Sequence, residues 1–264
     1  MTAIPFVTLD EPRYGAAVPV SPLVRRVIAN NPSKYTYLGT GTYIVGDGDV
    51  AVIDPGPILD EHRDALIAAL DGARVRAILV THCHSDHSPL AAWLREETGA
   101  PTIAFGPHAS VEADPIEDGM TLEETTDTDF DPDVRVGDGE VAAMGVGWTM
   151  RAVHTPGHTS NHMCYALDEE RALFTGDHVM GWSTTVVSPP DGDMRDYIDS
   201  LRKVMARDDA TLWPTHGAPV TAPRPFLQAF LEHRLQREAQ VLAAVRSGVA
   251  DIEAMVKLMY ADVR

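Results

Sequence analysis

His82-Cys83-His84-Ser85-Asp86-His87 sets four potential metal ligands into six positions, directly after the largely apolar run Arg76-Ala77-Ile78-Leu79-Val80. A strand that ends in such a loop delivers its ligands into one pocket. His82 and His84 share a face at strand-like spacing, and Asp86 and His87 follow a turn, so the pattern suits two adjoining metal sites better than one. Cys83 alternates away from both histidines, and packing is its expected role.

Three later segments carry what a pair of ions would still lack: His154-Thr155-Pro156-Gly157-His158-Thr159, Phe174-Thr175-Gly176-Asp177-His178 and Pro214-Thr215-His216-Gly217. Each places a His or Asp beside Gly or Pro after an apolar stretch, which is how a rigid strand end presents a ligand from a tight turn. In this order, the motifs resemble those of the metallo-β-lactamase superfamily, from about Tyr37 to about Val220. Within it, the chain is similar to the branch that contains glyoxalase II-like and β-lactamase-like endoribonuclease proteins.

The resemblance implies an α+β fold, the four-layer αββα sandwich, with the site at the mouth where strand ends converge. It also implies roles for single residues. His82, His84 and His158 would hold one metal; Asp86, His87 and His216 would hold the other; Asp177 would bridge them. His154 would be a structural or supporting residue, since the family's ligand aligns with His158. Asp54 would orient the ligand loop. His162 and His178 are candidates for substrate or supporting contacts, and Trp182, close behind Asp177, is a candidate wall for a substrate.

A histidine-rich set favours two zinc ions, with iron or manganese as the other choices. Two ions bridged by a carboxylate lower the pKa of a shared water to about 7, giving a hydroxide nucleophile at neutral pH. Asp86 could relay a proton and Asp177 would set the bridge. No G-x-S-x-G elbow and no G-x-x-x-x-G-K loop occurs, so serine-hydrolase and P-loop readings are excluded.

The 264 residues, 44% hydrophobic, suffice for one large domain with a small appendage, expected as residues 1–222 and 223–264. No apolar stretch reaches the ~18 residues of a membrane span. Met1-Thr2-Ala3-Ile4-Pro5-Phe6 shows no basic region ahead of an apolar one, so a cytoplasmic location is expected. The two cysteines, Cys83 and Cys164, form no C-x-x-C pair and are expected to be reduced.

Thr42-Tyr43-Ile44-Val45 and Val50-Ala51-Val52-Ile53, separated by Gly46-Asp47-Gly48-Asp49, read as a hairpin ending at Asp54. A helix follows with Asp60 as N-cap and Ala65, Leu66, Ile67, Ala69 and Leu70 facing inward. Another helix is expected near 89–98 and a strand at 101–105. His162 to Phe174 reads as a second hairpin, ending just before Asp177, an echo of the first. Residues 111–133 are acidic and read as a solvated surface insertion, or alternatively as a flap over the pocket. A further helix runs through Tyr197, Ile198, Leu201 and Met205. Helices near 225–246 and 253–260, with His233 to Glu238, resemble the beginning of the winged-helix tail of the endoribonuclease branch.

Net charge is −18, from 21 basic and 39 acidic residues. Such a field repels polyanions, so the favoured substrate is a small ester, thioester or lactone rather than nucleic acid. The alternatives are a single-strand-specific endoribonuclease, guided by a basic strip at Arg224, Arg234 and Arg237, and a non-hydrolytic di-iron redox protein.

Overall fold

The computed structural model describes residues 4–9, 11–108, 125–249 and 251–260. Strands Val18–Pro19 (β1), Val24–Ile28 (β2), Gly41–Val45 (β3), Asp49–Ile53 (β4), Arg74–Leu79 (β5), Thr102–Ala104 (β6) and Val134–Arg135 (β7) form one sheet in that spatial order. β1 to β4 pair antiparallel and β4 to β7 parallel. Parallel neighbours need a crossover, and helices Asp60–Ala69 (α1) and Leu90–Thr98 (α2) supply the first two. Val141–Gly145 (β8), Trp148–His154 (β9), Met163–Leu167 (β10), Ala172–Gly176 (β11) and Thr211–Pro214 (β12) form a second sheet, ordered β12-β11-β10-β9-β8. Its single parallel pair, β11 with β12, is joined through helix Met194–Met205 (α3).

β3, β4 and the second half of β5, Ala77 to Leu79, are largely apolar on both faces because both faces are covered. Ile44, Val50, Val52 and Ile78 pack with Leu66 of α1 and Leu90 and Leu94 of α2. The alternate residues Tyr43, Val45, Ala51, Ile53 and Leu79 pack with Met150, Ala152, Met163, Tyr165 and Phe174 of the second sheet. One strand thus feeds two cores through its two-residue period. Each fully buried Leu or Ile contributes about 1.5–3 kcal/mol. Two buried phenols tie the sheets together at the ligand end: Tyr43 Oη donates to Pro214 O at 2.7 Å and Tyr165 Oη to Val80 O at 2.9 Å.

Several local expectations are corrected. The N-cap of α1 is Leu59, with no side-chain cap, and Asp60 is the first helical residue. Ile67 is 56% exposed, because it lies one 100° step beyond Leu66; the inward face is His62, Ala65, Leu66 and Ala69. His62 fills its inward place by bonding Thr42 Oγ1 at 2.9 Å. The strand expected at 101–105 is the shorter β6.

Of the acidic stretch 111–133, residues up to 124 lie outside the described residues, and so does most of the proposed flap. In the remainder Asp129, Asp131 and Asp133 are exposed, as expected, while Thr125 and Asp127 are bonded to the ligand loop. Ser85 N donates to Thr125 O at 2.8 Å, Asp127 N to Cys83 O at 2.7 Å and Ser88 Oγ to Asp127 Oδ2 at 2.6 Å, so the segment straps the back of the ligand loop.

The chain divides into two compact units, Phe6–Pro223 and Arg224–Arg264 with Met1–Pro5. The second unit consists, among the described residues, of helices and no strand: Pro223–Arg246 (α4) continues into it, and Ile252–Met259 (α5) follows. Asp251 caps α5, accepting from Ala254 N at 2.8 Å. Arg237 lies over the Tyr260 ring, 4.3 Å from its centroid, and donates to Met259 O, so this arginine of the expected basic strip is engaged within its own unit. No described helix is long and apolar enough to cross a membrane.

Candidate metal centre

The ligand loop leaves β5 at the edge shared with the second sheet, where Met163 N donates to Thr81 O at 2.8 Å. His82 and His84 project from this extension. A turn then closes, His87 N donating to His84 O at 2.9 Å, and swings Asp86 and His87 to the same side. His158 comes from the turn after β9, Asp177 from the end of β11, and His216 from the end of β12. Gly157 is required at its turn: at φ +134°, a Cβ there would stand 2.3 Å from Tyr197 Cα.

These side chains converge in three overlapping groups whose ligand atoms lie within 4.8 Å of one another: His82, His84, His158; His82, His87, Asp177; and Asp86, His87, His216. In the first, His84 Nδ1 stands 3.0 Å from His82 Nε2 and 3.2 Å from His158 Nε2. In the last, Asp86 Oδ2 is 3.3 Å from His87 Nε2 and 3.2 Å from His216 Nε2. A tetrahedral ion with bonds of about 2.0–2.1 Å requires ligand–ligand edges of roughly 3.3 Å. The two faces of Asp177 look different ways. Oδ1 lies 3.6 Å from His87 Nε2 and 3.4 Å from His216 Nε2, and Oδ2 lies 3.9 Å from His158 Nε2.

The orientation of each imidazole is set from behind. His87 Nδ1 meets Asp54 Oδ2 at 2.9 Å, His158 Nδ1 meets Val186 O at 2.7 Å and His216 Nδ1 meets Gly39 O at 3.2 Å, which leaves each Nε2 facing the centre. His82 Nδ1 donates to Thr81 Oγ1 at 3.0 Å, and that hydroxyl donates to Asp54 Oδ2 at 2.8 Å. Asp54 also accepts from Thr81 N at 2.8 Å and Thr215 Oγ1 at 3.2 Å. Asp86 Oδ2 accepts from Thr40 Oγ1 at 2.7 Å, and Thr40 from Asn31.

Electrostatics divides the cluster in two. Burial, reinforced by neighbouring histidines, pushes His82, His84 and His158 below the usual histidine range, His84 to about 3. Burial also opposes charge on His87 and His216, yet the carboxylates beside them prevail: Asp86 and Asp177 hold His87 well up and raise His216 to about 10. In turn, Asp86 and Asp177 are held low despite their burial by the charges of His87 and His216. One half offers neutral nitrogen lone pairs; in the other, two carboxylates hold protons on His87 and His216, positive charge that a metal cation would replace. That donor chemistry fits bound metal.

The other candidates take different places. His154 is outside the cluster: its ring stacks on Phe105 at 4.0 Å and its Nε2 meets Ser160 O. His162 has both nitrogens in use, Nδ1 on Thr155 Oγ1 at 2.9 Å and Nε2 accepting from Asp177 N at 3.2 Å, so it holds the backbone of Asp177. His178 is buried against the Tyr197 ring and joins none of the ligand groups. Cys83 packs beside Asn161 Nδ2 at 3.1 Å, and burial pushes its thiol up to about 11. Trp182 lines the mouth, stacked on Tyr37 at 4.8 Å.

The threonines were missed in the sequence, although a signal existed: Thr81 precedes His82, Thr215 precedes His216, and both hydroxyls reach Asp54. Lys34 and Tyr35 also escaped notice. They line a small pocket, partly open to solvent, together with His84, His158, Asp177, Met180, Trp182 and Val186.

The family model described as the metallo-beta-lactamase superfamily matches residues 37–216. A lactamase-like protein of Aspergillus sp. (strain MF297-2) is 34% identical over 86% of this chain and 65% of its own. An atrochrysone carboxyl ACP thioesterase of Aspergillus fumigatus is 34% identical over 86% of this chain and 66% of its own. The chain therefore spans about two thirds of the length of the curated relatives it matches. Among solved structures, a beta-lactamase domain protein from Burkholderia ambifaria superposes with a TM-score of 0.67 at 21% identity, covering 89% of this chain and 81% of that one, a likeness of fold.

Proposed function

Since the chain belongs to the metallo-β-lactamase superfamily, we propose that it is a two-metal hydrolase of small acyl thioesters, the acyl group being carried on a pantetheine arm. The observation that carries the reading is the pair of ligand groups with tetrahedral edges, opening into a pocket with apolar walls. The thioester preference rests on the relatives named as ACP thioesterases. His82, His84 and His158 would hold one ion, Asp86, His87 and His216 the other, and Asp177 both, with zinc favoured by the histidine-rich set.

Bound there, the ions would supply Lewis acidity and bring the pKa of water towards neutrality. The chain's own groups do the rest. Met180, Trp182 and Val186 receive the acyl group and exclude bulk water from one side of its carbonyl. Asp177, with Oδ1 towards His87 and His216 and Oδ2 towards His158, would be taken up in holding the ions. Asp86, oriented by the Thr40 hydroxyl, is placed to take the proton of the attacking water and relay it outward. A C–O bond forms as the C–S bond breaks, yielding a carboxylic acid and a thiol. A thiol leaves as thiolate at a pKa near 8.5, so no dedicated acid is needed.

The test is one panel at low and physiological salt: an acyl-pantetheine thioester, an aryl ester, a lactone, a β-lactam and single-stranded RNA. Thioester turnover that needs metal and changes little with salt is expected. Metal-dependent RNA cleavage that falls by orders of magnitude with salt, without thioester turnover, would overturn the reading. A second check uses the two histidines of one turn. His158→Ala should lose about one ion per chain by elemental mass spectrometry, whereas His154→Ala should keep both and change rate by less than ~10-fold, the scale of a distant support. The reverse pattern would show the ligand assignment to be wrong.

A further inference from the structure

The mouth of the pocket holds a cation with no counter-ion among the described residues. Lys34 is the single Lys or Arg lining it, and among the described residues its Nζ forms no ion pair. The ammonium instead lies over the Tyr35 ring, 4.7 Å from its centroid. What sets Lys34 apart is its place: it stands at the entrance to a site in a chain of net charge −18, where an ammonium offers an anion a local exception to the overall field. The surrounding groups agree in polarity. Ser183 and Thr184 add hydroxyls to the same lining. The pocket is thus rich in donors at its rim, while its lining also carries the Asp177 carboxylate.

The wall is also held in place. Tyr37, at φ +58°, stacks on Trp182 with an interplanar angle of 13°, and the neighbouring Thr36 hydroxyl donates to Asn31 O at 2.6 Å. The loop carrying Lys34 continues into Thr40, whose hydroxyl reaches Asp86. Recognition at Lys34 is therefore connected by a short, hydrogen-bonded stretch of chain to the reacting end of the pocket.

We propose that Lys34 is the specificity-determining residue of this pocket and binds an oxyanion on the substrate. The inference rests on the thioesterase reading and names what that substrate carries in addition to its thioester. The oxyanion has two possible sources, a carboxylate on the acyl group or a phosphate on the pantetheine arm. An ammonium–oxyanion contact at a partly open site adds about fivefold to tenfold in affinity, and a tyrosine ring beneath the ammonium keeps it directed without neutralising it.

The experiment compares Lys34→Gln and Lys34→Arg with the parent metal-loaded enzyme on four thioesters: 4-carboxybenzoyl and 4-carbamoylbenzoyl groups, each on coenzyme A and on N-acetylcysteamine. For Lys34→Gln, the preference in kcat/KM for an oxyanion-bearing substrate over its neutral counterpart should fall about fivefold to tenfold, through KM, and Lys34→Arg should restore it. A loss that follows the carboxybenzoyl group assigns the acyl carboxylate; a loss that follows coenzyme A assigns the phosphate. Equal effects on all four substrates, or none, would overturn the proposal. Calorimetric binding of the corresponding non-hydrolysable thioethers gives the same comparison without turnover. If no thioester is hydrolysed but the thioethers still show the Lys34-dependent preference, the thioesterase reading fails and the oxyanion site stands.

Discussion

Asp177→Ala should lower kcat on the order of 10³-fold or more, well beyond the ~10–100-fold typical when a group that only supports a ligand is removed. The reason is the division of its oxygens: Oδ1 faces His87 and His216, and Oδ2 faces His158. Asp177 is the carboxylate whose two oxygens face histidines of both outer groups. Metal content should fall from about two ions per chain to about one. The fold should survive, because the backbone of this residue is held independently of its carboxylate. Asp177 N donates to His162 Nε2 at 3.2 Å and Asp177 O accepts from Thr185 Oγ1 at 2.8 Å. Elemental analysis, circular dichroism and steady-state kinetics on one preparation check all three points. A variant within tenfold of its parent, or one that retains both ions, would refute the bridging role.

Asp54→Ala is expected to be the most damaging substitution for stability. The carboxylate is 1% exposed and accepts from four donors, Thr81 N, Thr81 Oγ1, His87 Nδ1 and Thr215 Oγ1. Alanine would strand these buried donors, a loss of about 3–5 kcal/mol by analogy with breaking a buried pair. Asp54 also sits at φ +48°, which Asp and Asn tolerate and Ala does not. The melting temperature should fall by roughly 10 °C. Metal affinity should fall ~10–100-fold, because His87 and, through Thr81, His82 lose their orientation. Asp54→Asn keeps the backbone conformation and one acceptor oxygen, so it should lie between Ala and the parent in stability while still weakening metal binding. Unchanged melting and affinity in Asp54→Ala would contradict this account.

The threonine and Asp54 network shows where sequence reading stops. His82, His84, Asp86 and His87 were legible because four ligands on six residues share one local geometry, a strand end and a turn. The hairpins flanking Asp54 and Asp177 were legible for the same reason: apolar alternation and turn residues act over a few positions. Ile67 shows the converse. Its hydrophobicity suggests burial, but the helix is already turned by Ala65, Leu66 and Ala69, and His62 takes the inward position by a hydrogen bond to another element. The acidic charges of 125–133 suggest solvent, and Asp129, Asp131 and Asp133 are exposed; only Asp127 departs, spent on Ser88 while its N–H covers the Cys83 carbonyl.

What the sequence alone determined is the inventory of candidate ligands, the two-faced strands and the order in which the motifs follow one another, through short-range spacing and the resemblance it carries. Tertiary structure alone decided which groups complete the site. Thr81 and Thr215 stand 134 positions apart yet share one carboxylate, and Lys34 meets Trp182 across 148 positions at the mouth of one pocket. Residues so far apart carry no common local pattern; they are brought together only when the two sheets close over their shared core, and a charge left unpaired at that mouth becomes visible only once its neighbours are in place.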